Sequence, residues 1–300
     1  MFATLAAVAA LTFAQSTDTT VAVQSGTRLD VNDFGGSITI HTWGENRVRV
    51  HADHSSRDVI SVTAGGSVVS VRSSGRRGPQ SIDYDITVPA WMALNLSGTY
   101  VDISTDGTQG DITAETVQGD VKARGGNGYI SLKSVEGTVT LEDAKGHIDL
   151  STVNDDVTLS NVTGDITAET VDGGIDMTGI DAANVDANSV DGDIKYDGSV
   201  KEGGHYRLST HDGDVSITLP EKAGATVSVS TFDGEFEACF PITLKNQSKH
   251  RFNFTVGSGS ARIELESFDG DIKLLRPGAA ACPRVNQDND EDNDHDHDHP

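Results

Sequence analysis

The chain has 300 residues, 46 of them Asp or Glu against 22 Lys or Arg, giving a net charge of -24. Binding a phosphate backbone draws on clustered Lys and Arg, so this balance argues against nucleic acid and anionic membrane surfaces and serves solubility first. Aromatics are 5% while Val, Ile, Thr, Gly, Ser and Asp dominate, which argues against a helical protein and predicts many short strands joined by tight turns.

The chain opens with "MFATLAAVAALTFAQ", an apolar run from Phe2 to Ala14 in which Thr12 and Ala14 sit like the small residues before a signal-peptidase cut. No Lys or Arg precedes the run, and a short buried N-terminal segment is the alternative reading. No cysteine follows to carry a lipid, and no later stretch is long enough to span a bilayer. The expected organisation is a signal peptide over residues 1–14, one β domain over 15–276 and a tail over 277–300, in a protein that is periplasmic, secreted or held at the cell surface. Beyond the signal, "GGSITIHTW" (Gly35 to Trp43), "RVRVHAD" (Arg47 to Asp53), "SVVSVRS" (Ser67 to Ser73) and "YDITVPAWMALNL" (Tyr84 to Leu96) alternate as strands do.

From Ile103 a register emerges. Ile103, Ile112, Val121, Ile130, Val139, Ile148, Val157, Ile166 and Ile175 fall at steps of nine, and Val185 and Ile194 continue after one inserted residue. The unit reads Gly-x-ϕ-x-ϕ-x-x-ϕ-x. Side chains alternate faces along a strand, so the anchor and the residue two places on share a face, whereas the residue five places on has the opposite parity. The chain is therefore expected to bend between them and bring Val117, Val135, Ala144, Val153, Val162, Val171, Ile180 and Val190 back toward the apolar side. A Gly two residues before the anchor, as at Gly110, Gly119, Gly128 and Gly137, supplies a second bend, and the Asp that often follows it bonds nearby amides.

So short a strand cannot bury its apolar face alone, and repetition at a fixed period is what a solenoid requires. Nine residues are too few to close a coil, leaving 18 (two strands) or 27 (three). Stacking by 18 keeps carboxylates off adjacent rungs in the columns through Asp111 and Asp120, which favours 18. The expected fold is all-β: a single parallel β-solenoid, right-handed and β-helix-like, with about 18 residues per coil. Later strands "HDGDVSITL", "FDGEFEACF" and "FDGDIKLL" repeat the corner at wider intervals, which predicts longer coils or hairpins, and residues before about 60 and after about 220 are the candidate caps.

Cys239 and Cys282 are compatible with a disulfide or with two unreactive thiols. After Pro277 the chain turns acidic and His-rich; from Asp288 to Asp298 it cannot bury enough surface to offset chain entropy and is expected to be disordered. His295, His297 and His299 alternate with Asp there and suit weak capture of a divalent transition metal, with a solubilising tail as the other reading.

The run "YDITVPAWMALNLSGTYVDISTDGTQGDITAETVQGDV" resembles the bacterial putative-adhesin domain-of-unknown-function family. The likeness rests on a strand ending in Val88-Pro89 and on Gly-Asp-Ile or Gly-Asp-Val corners at Gly110, Gly119, Gly164 and Gly192, and it covers roughly Thr27 to Leu275. It implies a β-helix-like solenoid outside the cytoplasm and carries no catalytic residues over. Calcium-binding toxin repeats share the nine-residue period, but "GGNGYISLK" (Gly125 to Lys133) has Ile130 where their Asp belongs. Lys122, Arg124, Lys133 and Asp149 are exposed candidates for a carbohydrate-active enzyme, with nothing in the sequence to place them together. His41, His51 and His54 read as surface histidines, and Asn95, Asn161 and Asn253 sit in Asn-x-Ser/Thr triplets. The expected function is non-enzymatic: an exported or surface binding scaffold with no cofactor, whose partner is a surface component or glycan. A carbohydrate-active enzyme or a ligand-free envelope component is the alternative.

Overall fold

The computed structural model describes residues 14–75, 81–242, 244–248, 250–279 and 282–285. Apart from Ala14 the expected signal peptide lies outside them, as do residues 286–300 with His295, His297 and His299. Among the described residues there is no helix; 27 strands form a 13-stranded and a 14-stranded sheet.

Successive nine-residue units alternate between the two sheets. In one, Ile112 pairs with Ile130, Ile130 with Ile148 and Ile148 with Ile166, all in parallel register, and Ile166 pairs with Val185. In the other, Val121, Val139, Val157, Ile175 and Ile194 line up in the same way. Partners are thus 18 residues apart, or 19 across the single insertion. These anchors and the residues two places on (Ala114, Leu132, Leu150, Leu141, Leu159) are all at most 3% exposed and form one core between the sheets. Each fully buried Val, Leu or Ile stabilises by roughly 1.5–3 kcal/mol, and a unit gains it only with neighbours above and below.

Parallel pairing gives way to hairpins at both ends, where the sequence predicts longer coils or hairpins and caps. Ala14–Ala22 pairs antiparallel with Arg47–Ser55, which pairs antiparallel with Ile82–Pro89, and Asp58–Gly65 pairs antiparallel with Val68–Gly75. At the other end Arg251–Val256 runs antiparallel to both Ala225–Asp233 and Leu244–Ser248. Chain order and spatial order also part company there. Arg28–Asn32 lies between Val68–Gly75 and Ala93–Ser97, and Ala261–Asp269 lies between His205–Asp212 and Ala225–Asp233. Each end is therefore made by a coil that overshoots, folds back as a hairpin and returns through the place left beside its predecessor. A bare solenoid end presents a row of unpaired N–H and C=O groups; here the edges of the two sheets fall on Ala14–Ala22 and the short Phe236–Ala238, and on Asp58–Gly65 and Leu244–Ser248.

Cys239 and Cys282 are joined through their sulfurs with Cα atoms 4.8 Å apart, linking the strand Phe236–Ala238 to the residues after the last coil.

Candidate functional site

The two corners of each coil are built differently. Where the chain leaves the 13-stranded sheet, Gly125, Asp143, Asn161 and Gly179 adopt positive φ of 94°, 53°, 55° and 68°. The left-handed residue reverses the alternation, and the next one turns inward: Ala144, Val162 and Ile180 are 3%, 0% and 2% exposed. Where the chain leaves the 14-stranded sheet, the same position holds Thr116, Ser134, Thr152, Thr170, Ser189 and Thr210, all buried. Five of these hydroxyls donate to corner carbonyls, Ser134 to Gly119, Thr152 to Gly137, Thr170 to Asp155, Ser189 to Gly173 and Thr210 to Gly192, at 2.9–3.0 Å, while that of Thr116 is buried with no hydrogen-bond partner among the described residues. The backbone stays extended, so the following residue points out. Val117, Val135, Val153, Val171 and Val190 are 38–49% exposed, correcting the expectation that the whole column turns inward. Gly137 then needs its lack of a side chain, since at φ 146° a Cβ would meet the Gly119 carbonyl oxygen at 2.0 Å.

This outer column runs on past the valines. The register places His211 beside Val190, Phe268 beside His211, Phe232 beside Phe268 and His250 beyond it. The rings contact one another, Phe232 and Phe268 at 4.9 Å and 5° between planes, Phe232 and His250 at 4.8 Å and 17°, and His211 edge-on to Phe268 at 4.9 Å. Phe232 is 59% and Phe268 50% exposed. Ser189, Ser209, Ser230, Glu266 and the rings line a shallow depression on the side of the 14-stranded sheet.

On the other side of the column stand two lines of carboxylates. One passes through Asp172, Asp191, Asp212, Asp269 and Asp233, on consecutive rungs and all exposed. The other passes through Asp102, Asp120, Asp156, Asp193, Asp214 and Asp271. Each of these accepts a backbone N–H from the next rung: Asp102 from Asp120, Asp120 from Thr138, Asp156 from Gly174, Asp193 from Asp214, Asp214 from Asp271 and Asp271 from Glu235, at 2.7–3.0 Å. The Asp after the corner glycine thus bonds across rungs. Adjacent carboxylates do occur, Asp102 beside Asp120 and Asp193 beside Asp214, contrary to the expectation from stacking by 18. Burial works to raise Asp120 and Asp214, but the N–H donors together with Lys122 and Lys273 outweigh it and hold both carboxyls below the usual range.

Asp33 occupies the hydroxyl position of its own corner and is 3% exposed. Burial pushes its carboxyl up to about 6, against the Phe34 N–H and the Ser73 hydroxyl that lower it.

The residues singled out for catalysis do not converge. Lys122 pairs with Asp120 at 3.2 Å and Arg124 with Asp106 at 2.7 Å on the 13-stranded sheet, while Lys133 pairs with Asp149 at 3.0 Å on the 14-stranded sheet. In the Gly125 to Lys133 stretch Ile130 is fully buried, and no group of His, Cys, Asp or Glu suited to a metal exists among the described residues. His41 is exposed and His51 partly so, but His54 is buried, its Nε2 2.8 Å from the Thr17 hydroxyl and its Nδ1 2.9 Å from the Ser55 carbonyl, which corrects its reading as a surface residue. Thr17 reaches it from the strand Ala14–Ala22, which pairs antiparallel beside Arg47–Ser55. Asn95 and Asn161 are exposed and Asn253 half-buried. The exposed ladder was missed because one apolar pattern covers two opposite side-chain directions; the preceding residue, Ser or Thr against Gly, Asp or Asn, separates them.

The family model described as Toastrack DUF4097 matches residues 12–275. Among curated proteins nothing matches the sequence. A solved putative adhesin from Bacteroides fragilis is 14% identical, with a TM-score of 0.46 over 87% of this chain and 97% of that one. A putative adhesin from Parabacteroides distasonis is 7% identical, with a TM-score of 0.45 over 87% and 97% of the two chains. A putative lipid binding protein from the same species is 8% identical, with a TM-score of 0.42 over 87% and 96%.

Proposed function

The chain belongs to the Toastrack DUF4097 family, as its resemblance to the putative-adhesin family implied, and we propose that it is an exported, non-enzymatic binding scaffold: a solenoid of 18-residue coils that holds a surface partner along one corner. The observation that carries this reading is the outer column, a continuous line of exposed valines and stacked rings that the fold does not require. The opposite corner turns its equivalent residues inward, and polar residues would serve equally well on the outside. Contiguous exposed apolar surface on a soluble protein marks an interaction site. The apolar run from Phe2 to Ala14 supports export, and a linked Cys239 and Cys282 suits an oxidising compartment. The acidic tail is an accessory in this reading, with His295, His297 and His299 capturing divalent transition metal weakly; calorimetry with zinc on the full chain and on a chain ending at Pro283 tests that, and equal heats would remove it.

Binding to an array of glycans and extracellular-matrix proteins tests the main proposal. A signal that Phe232→Ser with Phe268→Ser abolishes, in a protein whose melting temperature is unchanged, is the expected result. A signal indifferent to both substitutions would overturn the corner as the binding surface, and cleavage of any arrayed glycan would reassign the protein as an enzyme.

A further inference from the structure

Seven of the eleven large apolar side chains exposed among the described residues stand on the outer column, the exceptions being Phe34, Val59, Tyr100 and Tyr129. Its C-terminal half has a second property. Alongside Val171, Val190, His211, Phe268 and Phe232 run Asp172, Asp191, Asp212, Asp269 and Asp233, one per rung, and none of the five has an ion-pair partner among the described residues. Carboxylates elsewhere on the solenoid are ion-paired, among them Asp106 with Arg124, Asp149 with Lys133, Asp181 with Lys201 and Asp214 with Lys273, whereas this line has five unpaired ones on consecutive rungs. Rungs are about 4.8 Å apart, so five like charges repel along a line about 19 Å long, beside an apolar line of the same length.

Resting on the reading of the corner as a binding surface, we infer that its partner is a basic polypeptide segment, with apolar side chains that cover the Val171 to Phe232 line and Lys or Arg that neutralise the Asp172 to Asp233 line. Charge complementarity selects this occupant. A second copy of the chain would bring the same carboxylates against these, and an anionic lipid surface or nucleic acid would be repelled in the same way. About 19 Å is the span of about six extended residues, so a short segment suffices.

The probe is a labelled eight-residue peptide alternating lysine and valine, titrated by fluorescence anisotropy into the full-length protein. Binding is expected that weakens by about tenfold or more in Asp191→Asn/Asp212→Asn/Asp269→Asn, by about tenfold or more in Phe232→Ser/Phe268→Ser, and with added salt. These side chains are exposed, so cooperative melts at temperatures no lower than the parent's will show that the variants fold. Three results overturn the inference: equal binding of an alternating lysine-serine peptide, which would reduce it to charge alone; binding of a glutamate-valine peptide; or a dimer in sedimentation that the Phe variant dissolves, which would make the occupant a second copy. If the peptide does not bind while the array signal still depends on Phe232 and Phe268, the inference falls and the corner remains a binding surface. If neither depends on them, both fall.

Discussion

A single side chain decides which way each corner faces. At the anchor-plus-four position a Thr or Ser tucks its hydroxyl under the neighbouring corner and leaves the next residue in water, whereas Asn161 or Asp143 at positive φ sends the next residue into the core. The distinction was present in the sequence, since Thr152 precedes an outward Val153 and Asn161 an inward Val162. It was not legible from the apolar pattern alone, because hydrophobicity records the kind of residue and not the backbone turn before it. Thr152→Val keeps the shape but leaves the Gly137 carbonyl without its donor, and should lower stability by about 1 kcal/mol in chemical denaturation. Asp33 sits at the same position as those hydroxyls. Its folded value of about 6 lies above the ordinary 3.8, so its contribution to stability is complete below about pH 4 and is lost as pH rises through 6. Asp33→Asn, neutral throughout, should therefore stabilise by on the order of 1 kcal/mol at pH 7.5 and by nothing at pH 4, in melts run at both values. Asp120 works in the opposite sense. Its folded carboxyl lies below 3.8, so it stabilises above that value and loses the contribution as pH falls through its lowered one. Asp120→Ala should cost about 1 kcal/mol at pH 7 by stranding the Thr138 N–H, and much less near pH 2.

At the scale of the strand, the nine-residue unit was readable because alternation fixes which side chains share a face, and the structure buries Ile112, Ile130 and Ile148 side by side. Partner and direction were not readable at the ends. A segment such as "RVRVHAD" shows the same alternation whether its neighbour is parallel or antiparallel, and nothing local in Ala261–Asp269 says that it inserts between two earlier coils. The link between Cys239 and Cys282 ties down the end so formed, closing a loop of 43 residues. Replacing Cys282 by Ser should cost about 2–4 kcal/mol, read as a lower denaturant midpoint for an unchanged slope; a midpoint that does not move would show that the cap holds without the link.

Over the whole molecule, aliphatic columns hold the two sheets together while a net charge of -24 pushes the chain apart. Added salt should therefore raise the melting temperature until repulsion between exposed carboxylates is screened. The solenoid character was legible because a fixed period leaves a unit no other way to bury its face. The binding corner was not, because it is assembled from single residues 18 or more positions apart, and only the register turns Val171, Val190, His211, Phe268 and Phe232 into one line. Two strands per coil is the claim on which register, corners and ladder all depend, and two deletions test it directly. Removing residues 138–155 joins Gly137 to Asp156 and takes out one complete coil; removing 138–146 joins Gly137 to His147 and preserves the local Gly-x-ϕ pattern while sending every later strand to the wrong sheet. Thermal unfolding should show a cooperative melt within a few degrees of the parent for the 18-residue deletion and no cooperative melt for the nine-residue one, whereas equal behaviour of the two would contradict the two-strand coil.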